Sequence, residues 1–251
     1  MFKRKILISA IMIGGLFSFS SAVSADTGLN NKYLDEIVEL QPGTTKKEIL
    51  LSVESYAEEN NLEVSDVLAT IHQEIIKDKK DGDRVAKENG NEVKDGYSIY
   101  GGSSGTYKLP LSTKGNIYYT DSYTAFYNHG HVGMYSSSDK IVEAVPGDGT
   151  RQIKYNARNV EQNSIIQKIN VTTNQKNNAA DWAVSQVGSS YSFNFATNRS
   201  TGHNGDKNCS KLLWSAFTLK ANIDIDGNGG LGVYPRDITS SSYTTTVATI
   251  K

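Results

Sequence analysis

The sequence predicts an α+β fold in which an antiparallel sheet packs against helices and is preceded by a small helical hairpin. Three observations carry this. Between residues 116 and 171 the chain runs through short segments rich in β-branched and aromatic residues, separated by turn residues. Two stretches of helical periodicity follow, at about 174–187 and 208–220. A capping box, Thr45-Lys46-Lys47-Glu48, opens a separate helical region well upstream. Strands in one block and helices in another favour α+β over alternating βαβ units.

Residues 1–25 read as an export signal. Lys3, Arg4 and Lys5 precede an apolar run from Ile6 to Phe19, and Val23-Ser24-Ala25 offers the small residues of a cleavage site. The run is short and broken by Gly14-Gly15 and Ser18, and no second apolar stretch follows. No stable membrane span is therefore expected after cleavage near Ala25, and no cysteine there invites a lipid anchor. The expected location is secreted or cell-envelope associated. Cleavage leaves 226 of the 251 residues and takes the formal charge from −1 to −4, which argues against nucleic acid as a partner.

In the mature chain, Ile49, Val53 and Tyr56 recur at helical spacing after the capping box, towards a stop at Asn60. A second helix starts near Ser65 with Val67, Leu68, Ile71 and Ile75 in one stripe, giving a hairpin over about 44–78 within a helical region 26–80. The charged run Asp78-Lys79-Lys80-Asp81-Gly82-Asp83 then opens a polar, glycine-rich stretch, read as a linker over 81–104. Residues 105–251 form the main domain. Its expected strands are 116–120, 131–136, 140–145, 153–157 and 165–171. A helix over 174–187 and the polar-aromatic stretch Tyr191 to Phe195 precede the helix that begins near Asn208.

Cys209 is the single cysteine of a chain that reads as exported, so it makes no internal disulfide. It lies in the first turn of its helix, where free backbone N–H groups and the dipole are expected to favour a thiolate. Leu212, Leu213, Ala216 and Phe217 share its face, which also allows a buried, inert cysteine. His131 lies on a strand in Gly130-His131-Val132-Gly133-Met134, with Gly133 expected to leave open space for a substrate. Glu143 lies on the next strand of a hairpin turned by Ser136 to Asp139, within cross-strand reach if the register agrees. Thiol, imidazole and carboxylate are the parts of a cysteine hydrolase. By alternation His129 faces the same side as His131.

Taken together, Gly-His-Val-Gly-Met, the strand Ile141-Val142-Glu143-Ala144 and the later Asn208-Cys209-Ser210-Lys211-Leu212-Leu213-Trp214 resemble the YiiX/YebB-like branch of the NlpC-type cysteine hydrolases, a circularly permuted papain-like fold. The likeness covers about residues 105–240. It implies Cys209 as nucleophile, His131 as general base then acid, Glu143 as the orienting member, and Tyr191 as a group steadying the oxyanion beside the Cys209 backbone N–H. It is the resemblance, not the spacing, that picks His131 over His129. Lys211 stands where an acidic residue is expected, and as a cation it is a candidate to lower the thiol pKa. No cofactor is implied. The implied reaction is cleavage of an amide in a peptide, such as a peptidoglycan stem or cross-link.

Two other readings stay open: a thiol-dependent lipid ester or amide hydrolase or acyltransferase, disfavoured by the polar flanks 198–208 and 239–246, and a non-catalytic cell-wall binding module. Asp224-Ile225-Asp226-Gly227-Asn228-Gly229 matches the opening of a calcium loop but has Pro235 at the twelfth position, so a glycine-rich turn is the better reading. The four histidines and one cysteine lack zinc-ligand spacing, and no metal is expected.

Overall fold

The computed structural model describes residues 27–90, 105–124 and 127–251. The export-signal reading of 1–25 lies outside them, as does most of the linker reading. The described chain begins with three helices, α1 (Thr27–Glu39), α2 (Lys46–Asn60) and α3 (Val64–Glu88). The Thr45 hydroxyl caps α2 by accepting from the Glu48 N–H at 3.2 Å, and the Glu48 carboxylate accepts in return from the Thr45 N–H at 2.7 Å. Asn61, in the left-handed region at φ 53°, ends the helix. Leu34 and Ile37 of α1, Ile49 and Val53 of α2, and Leu68, Ile71 and Ile75 of α3 are buried together.

Here the structure corrects the sequence reading twice. The hairpin has a third member, α1, and the charged run taken as the start of a linker is helical through Glu88. The inward stripe of α3 continues beyond Ile75 as Asp78, Gly82 and Ala86, which carry no apolar periodicity. Salt bridges from Lys77 to Asp81, Lys79 to Asp83 and Arg84 to Glu88 decorate the outer face at i,i+4 spacing. Gly82 lets α3 touch the main domain, since a Cβ there would lie 1.9 Å from the Asn128 carbonyl oxygen. Asp78 is bound by the Arg236 guanidinium at 2.6 Å.

The main domain contains β1 (Tyr107–Lys108), β2 (Ile117–Thr120), β3 (Tyr123–Thr124), β4 (Tyr127–Asn128), β5 (His131–Tyr135), β6 (Lys140–Val145) and β7 (Gly149–Lys154). A 3₁₀ turn (Tyr155–Ala157), β8 (Asn159–Val160), β9 (Ile165–Ile169), α4 (Thr173–Ser185), α5 (Cys209–Ala221), α6 (Pro235–Thr239) and β10 (Thr244–Thr249) follow. Six strands form one sheet in the order β10-β9-β2-β5-β6-β7, every pair antiparallel. The fold is thus α+β, an antiparallel sheet packed against helices.

Strand alternation buries both faces of this sheet. Ile117, Tyr119, Val132, Met134, Val142 and Ala144 face a core shared with Cys209, Leu212, Leu213, Ala216 and Phe217 of α5 and with α4. Tyr118, Tyr135, Ile141 and Ile166 face the opposite way, under Leu109 and Val160. The polar tail 239–246 is partly strand: β10 closes one edge of the sheet with a bulge between Thr246 and Ala248.

Candidate active site

Cys209 opens α5. Asn208 caps the helix, its side-chain oxygen accepting from the Lys211 N–H at 2.9 Å. That cap is itself held, by Asn198 at 3.3 Å and by a 3.0 Å hydrogen bond from Asn208 Nδ2 to the Asn194 carbonyl. The Ser210 hydroxyl donates to the Val233 carbonyl at 2.6 Å. The first turn of α5 is thereby fixed on three segments, and its packing on β5 sets the sulfur against the backbone N–H groups of Val132 and Ser210. Cys209 is fully buried. Burial pushes its thiol up to about 11, and the Val132 and Ser210 N–H groups together with Arg158 counter only part of that rise. The expected stabilisation of a resting thiolate by the helix start is outweighed: the thiol is protonated at neutral pH.

His131 begins β5. The β5–β6 register, with Met134 opposite Val142 and Tyr135 opposite Ile141, leads Glu143 towards Gly133 and puts His131 on the diagonal. The two side chains span it, His131 Nε2 lying 2.8 Å from Glu143 Oε2. The Tyr118 hydroxyl donates to the same carboxylate oxygen at 2.6 Å and lies 3.3 Å from His131 Nε2. Burial, with the Glu143 charge beside it, raises the Tyr118 pKa well above normal, so the phenol remains a donor. Nε2 therefore carries the ring proton and Nδ1 is left as the basic nitrogen.

Gly133 has a different job from the one its sequence position suggested. It does not open space for a substrate; a Cβ there would lie 2.4 Å from Cε1 and 2.6 Å from the hydroxyl oxygen of Tyr118. The missing side chain is what admits the Tyr118 ring beneath His131.

Two arginines complete the carboxylate's environment, and the sequence reading missed both. Arg151 faces Glu143 across the β6–β7 pair and donates to Oε1 from Nη2 at 2.7 Å and from Nε at 3.0 Å. Arg158, just after the 3₁₀ turn, lies 3.4 Å from Oε2. Burial alone would raise Glu143, but Arg158, His131 and Arg151 outweigh it and hold the carboxyl well below the usual range. Arg151 is shared with Asp148, which leaves Arg158 as the more buried and less compensated of the two cations. Burial and then Arg158 accordingly lower His131 to about 4 despite the pull of Glu143. At neutral pH the site holds a neutral thiol, a neutral imidazole and an ionised carboxylate.

The described residues thus join His131 to Glu143 directly and bring the sulfur to Val132, the residue beside His131. No hydrogen bond joins Cys209 to the His131 ring among the described residues. His129 does not share the face of His131, because Gly130 turns the chain at φ 74° before the strand begins. Its ring packs on Phe195 instead, with centroids 5.6 Å apart. Tyr191 pairs with Lys207 along the backbone and sets its ring edge-on to Phe193, in a narrow cleft lined by Leu40, Pro42, His129 and Phe195. Lys211 donates to the Thr201 hydroxyl and is not among the main influences on the thiol.

The calcium-like turn is closed by a side chain. Both Asp224 and Asp226 pair with the Arg199 guanidinium, and successive backbone N–H groups of residues 226, 228 and 230 bind the side-chain oxygens two residues before them. His72 pairs with Glu36 at 2.5 Å, and His203 bonds the Ser215 hydroxyl at 3.0 Å. Among the described residues no three His, Cys, Asp or Glu side chains are grouped to hold a metal, and no helix is long and apolar enough to cross a membrane.

An α+β protein with a buried histidine–carboxylate pair beside a helix-start cysteine is the class that fold and site define. The chain is 61% identical over 244 residues to "Uncharacterized protein YycO" of Bacillus subtilis (strain 168), covering 97% of this chain and 96% of that protein. It belongs to the YycO family. No family model matches the chain, and no solved structure matches it.

Proposed function

We propose that the protein is an exported cysteine hydrolase of permuted papain-like architecture that cleaves an amide bond in a peptide, such as a peptidoglycan stem or cross-link. The observation that carries the reading is the His131–Glu143 pair, locked at 2.8 Å with Nε2 engaged, next to the strand residue whose N–H faces the Cys209 sulfur. The chain order, histidine strand, acidic strand, then cysteine helix, supports the permuted form, and a triad depends on geometry rather than order.

In this reading Nδ1 of His131 takes the thiol proton as sulfur attacks the carbonyl carbon and the C=O electron pair moves onto oxygen. The backbone N–H at the start of α5 is one donor for that oxyanion. The C–N bond then breaks, His131 passes its proton to the departing amine, and a thioester remains. Water attacks the thioester with its proton going to His131, and the thiol leaves as the acid is released. Proton transfer inside the site keeps its net charge constant, so a cluster that resists an external proton still accepts one from Cys209.

The full burial of Cys209 and its raised thiol favour a second reading, a non-catalytic module with an inert cysteine. Mass spectrometry of purified muropeptides incubated with the mature protein and with Cys209→Ala separates the two. New peptide fragments with the wild type alone support the hydrolase. Unchanged muropeptides with both proteins remove the cell-wall substrate.

A further inference from the structure

Arg158 stands apart from the other cation at the site. The Arg151 side chain is 30% exposed and shares its guanidinium between Glu143 and Asp148. The Arg158 side chain is 11% exposed, and its ion pair is to Oε2, the oxygen that also accepts from Tyr118 and faces His131. Its Nε is buried and has no hydrogen-bond partner among the described residues. An unspent buried donor is costly, so the ion pair to Glu143 is the contact through which Arg158 acts on the site.

We infer that Arg158 is a positioning residue of the site: its nearly buried charge, seated on the same Glu143 oxygen that meets the His131 ring, holds that carboxylate in place and sets the electrostatic surroundings of the imidazole. This rests on the hydrolase reading for its purpose but not for its physics. The titratable and charged groups around His131 are Tyr118 from β2, Glu143 from β6, Arg151 from β7 and Arg158 after the 3₁₀ turn, with His129 two residues before it and the Cys209 sulfur of α5 against the backbone of the next residue, Val132. Of these only the two arginines carry positive charge at neutral pH, and solvent and Asp148 moderate Arg151. The influence of Arg158 also reaches Cys209, where it favours the thiolate. One residue therefore acts on all three members of the triad.

The experiment is an NMR titration of the His131 ring in the full mature protein, in Arg158→Gln, Arg158→Lys and Arg151→Gln. Loss of the Arg158 charge raises the His131 midpoint by about one pH unit, as removal of a cation a few ångströms away in a partly buried site should. Arg158→Lys restores it, and Arg151→Gln moves it less. A purely structural Arg158 predicts no upward shift in the folded glutamine variant, and that result overturns the assignment. Should the glutamine variant not fold, Arg158→Met carries the same comparison, because its unbranched stem fills the buried slot without charge. The titration reads the charge cluster whether or not Cys209 turns over a substrate. A shifted His131 in a protein inert towards muropeptides keeps the Arg158 assignment and removes the hydrolase reading.

Discussion

Replacing Gly133 with alanine adds a single methyl group, and the structure says where it lands. The three atoms nearest to the new Cβ all belong to Tyr118, at 2.4, 2.6 and 2.7 Å. Backbone strain plays no part, since the residue is not in the left-handed region, and away from Tyr118 alanine should be better than glycine in a strand by about 0.5–1 kcal/mol. The Tyr118 ring is fully buried and cannot swing into solvent, so it must shift. Overpacking of that kind costs about 1–3 kcal/mol. Displacing the hydroxyl from Glu143 forfeits a hydrogen bond to a charged group, about 1.5–3 kcal/mol more if it is lost completely. A net loss of about 2–4 kcal/mol is expected, a fall in melting temperature of about 4–16 °C for a chain of this size. The assay is thermal unfolding of Gly133→Ala, Tyr118→Ala and the double variant. Tyr118→Ala is itself destabilising, but in its background the Gly133 substitution should become neutral or mildly stabilising, because its obstacle is gone. If Gly133→Ala is equally harmful with and without the tyrosine ring, the two sites are not coupled and the account of Gly133 is wrong.

Gly82→Ala sets helix propensity against docking: alanine is favoured by about 1 kcal/mol within a helix, yet the Cβ would meet the Asn128 carbonyl oxygen at 1.9 Å. The variant should melt lower and expose α3 to limited proteolysis, and a higher melting temperature would contradict the docking. Asp237, facing Asp226, Asp78 and Glu74, is raised to about 7, chiefly by burial. A carboxyl whose folded pKa exceeds its unfolded one loses stability as pH rises from about 4 through 7. Asp237→Asn should therefore melt higher than the wild type at pH 8 and equally at pH 4, and the same difference at both pH values would refute the assignment. Asn208→Ala removes the cap of α5 and should cost about 1 kcal/mol, read by chemical denaturation, together with a loss of muropeptide cleavage. Retention of full stability would show that the cap is dispensable.

The His131–Glu143 contact and the helix-start position of Cys209 were legible because each of the three residues sits in a local pattern that survives translation into structure. A helix cap followed by a cysteine, a glycine-flanked histidine on a strand and a glutamate on the next strand fall into register when the Ser136 to Asp139 turn closes. Strands β5 and β6 and helices α2, α4 and α5 stand close to where periodicity puts them. The missing parts are those whose signal is non-local. Arg151 meets Glu143 through the β6–β7 register, and Arg158 reaches it from a 3₁₀ turn, so neither shows in a one-dimensional pattern. The second half of α3 was hidden because its buried stripe is aspartate, glycine and alanine. Helix propensity and i,i+4 charge pairs were the available clues. The role of Gly133 was inverted because a glycine beside a histidine reads as empty space until the ring that fills it is known.

The same limit applies to the chemistry of Cys209. From sequence, a helix N-terminus argues for a thiolate; in the fold, complete burial wins and the thiol stays protonated at neutral pH. Activity in this account depends on general-base help and not on a preformed ion pair. Burial first, and then the charge of Arg158, keeps His131 neutral down to about pH 4, so in this account the base is unprotonated across the whole neutral range.

Intact-mass analysis after incubation with p-nitrophenyl acetate tests the central claim, nucleophilic attack by Cys209 with His131 as base, without knowledge of the natural substrate. The account predicts an acetyl adduct on Cys209 and release of p-nitrophenol, both lost in Cys209→Ala and at least tenfold slower in His131→Ala. Equal p-nitrophenol release from the wild type and Cys209→Ala, with no adduct on the thiol, would contradict it.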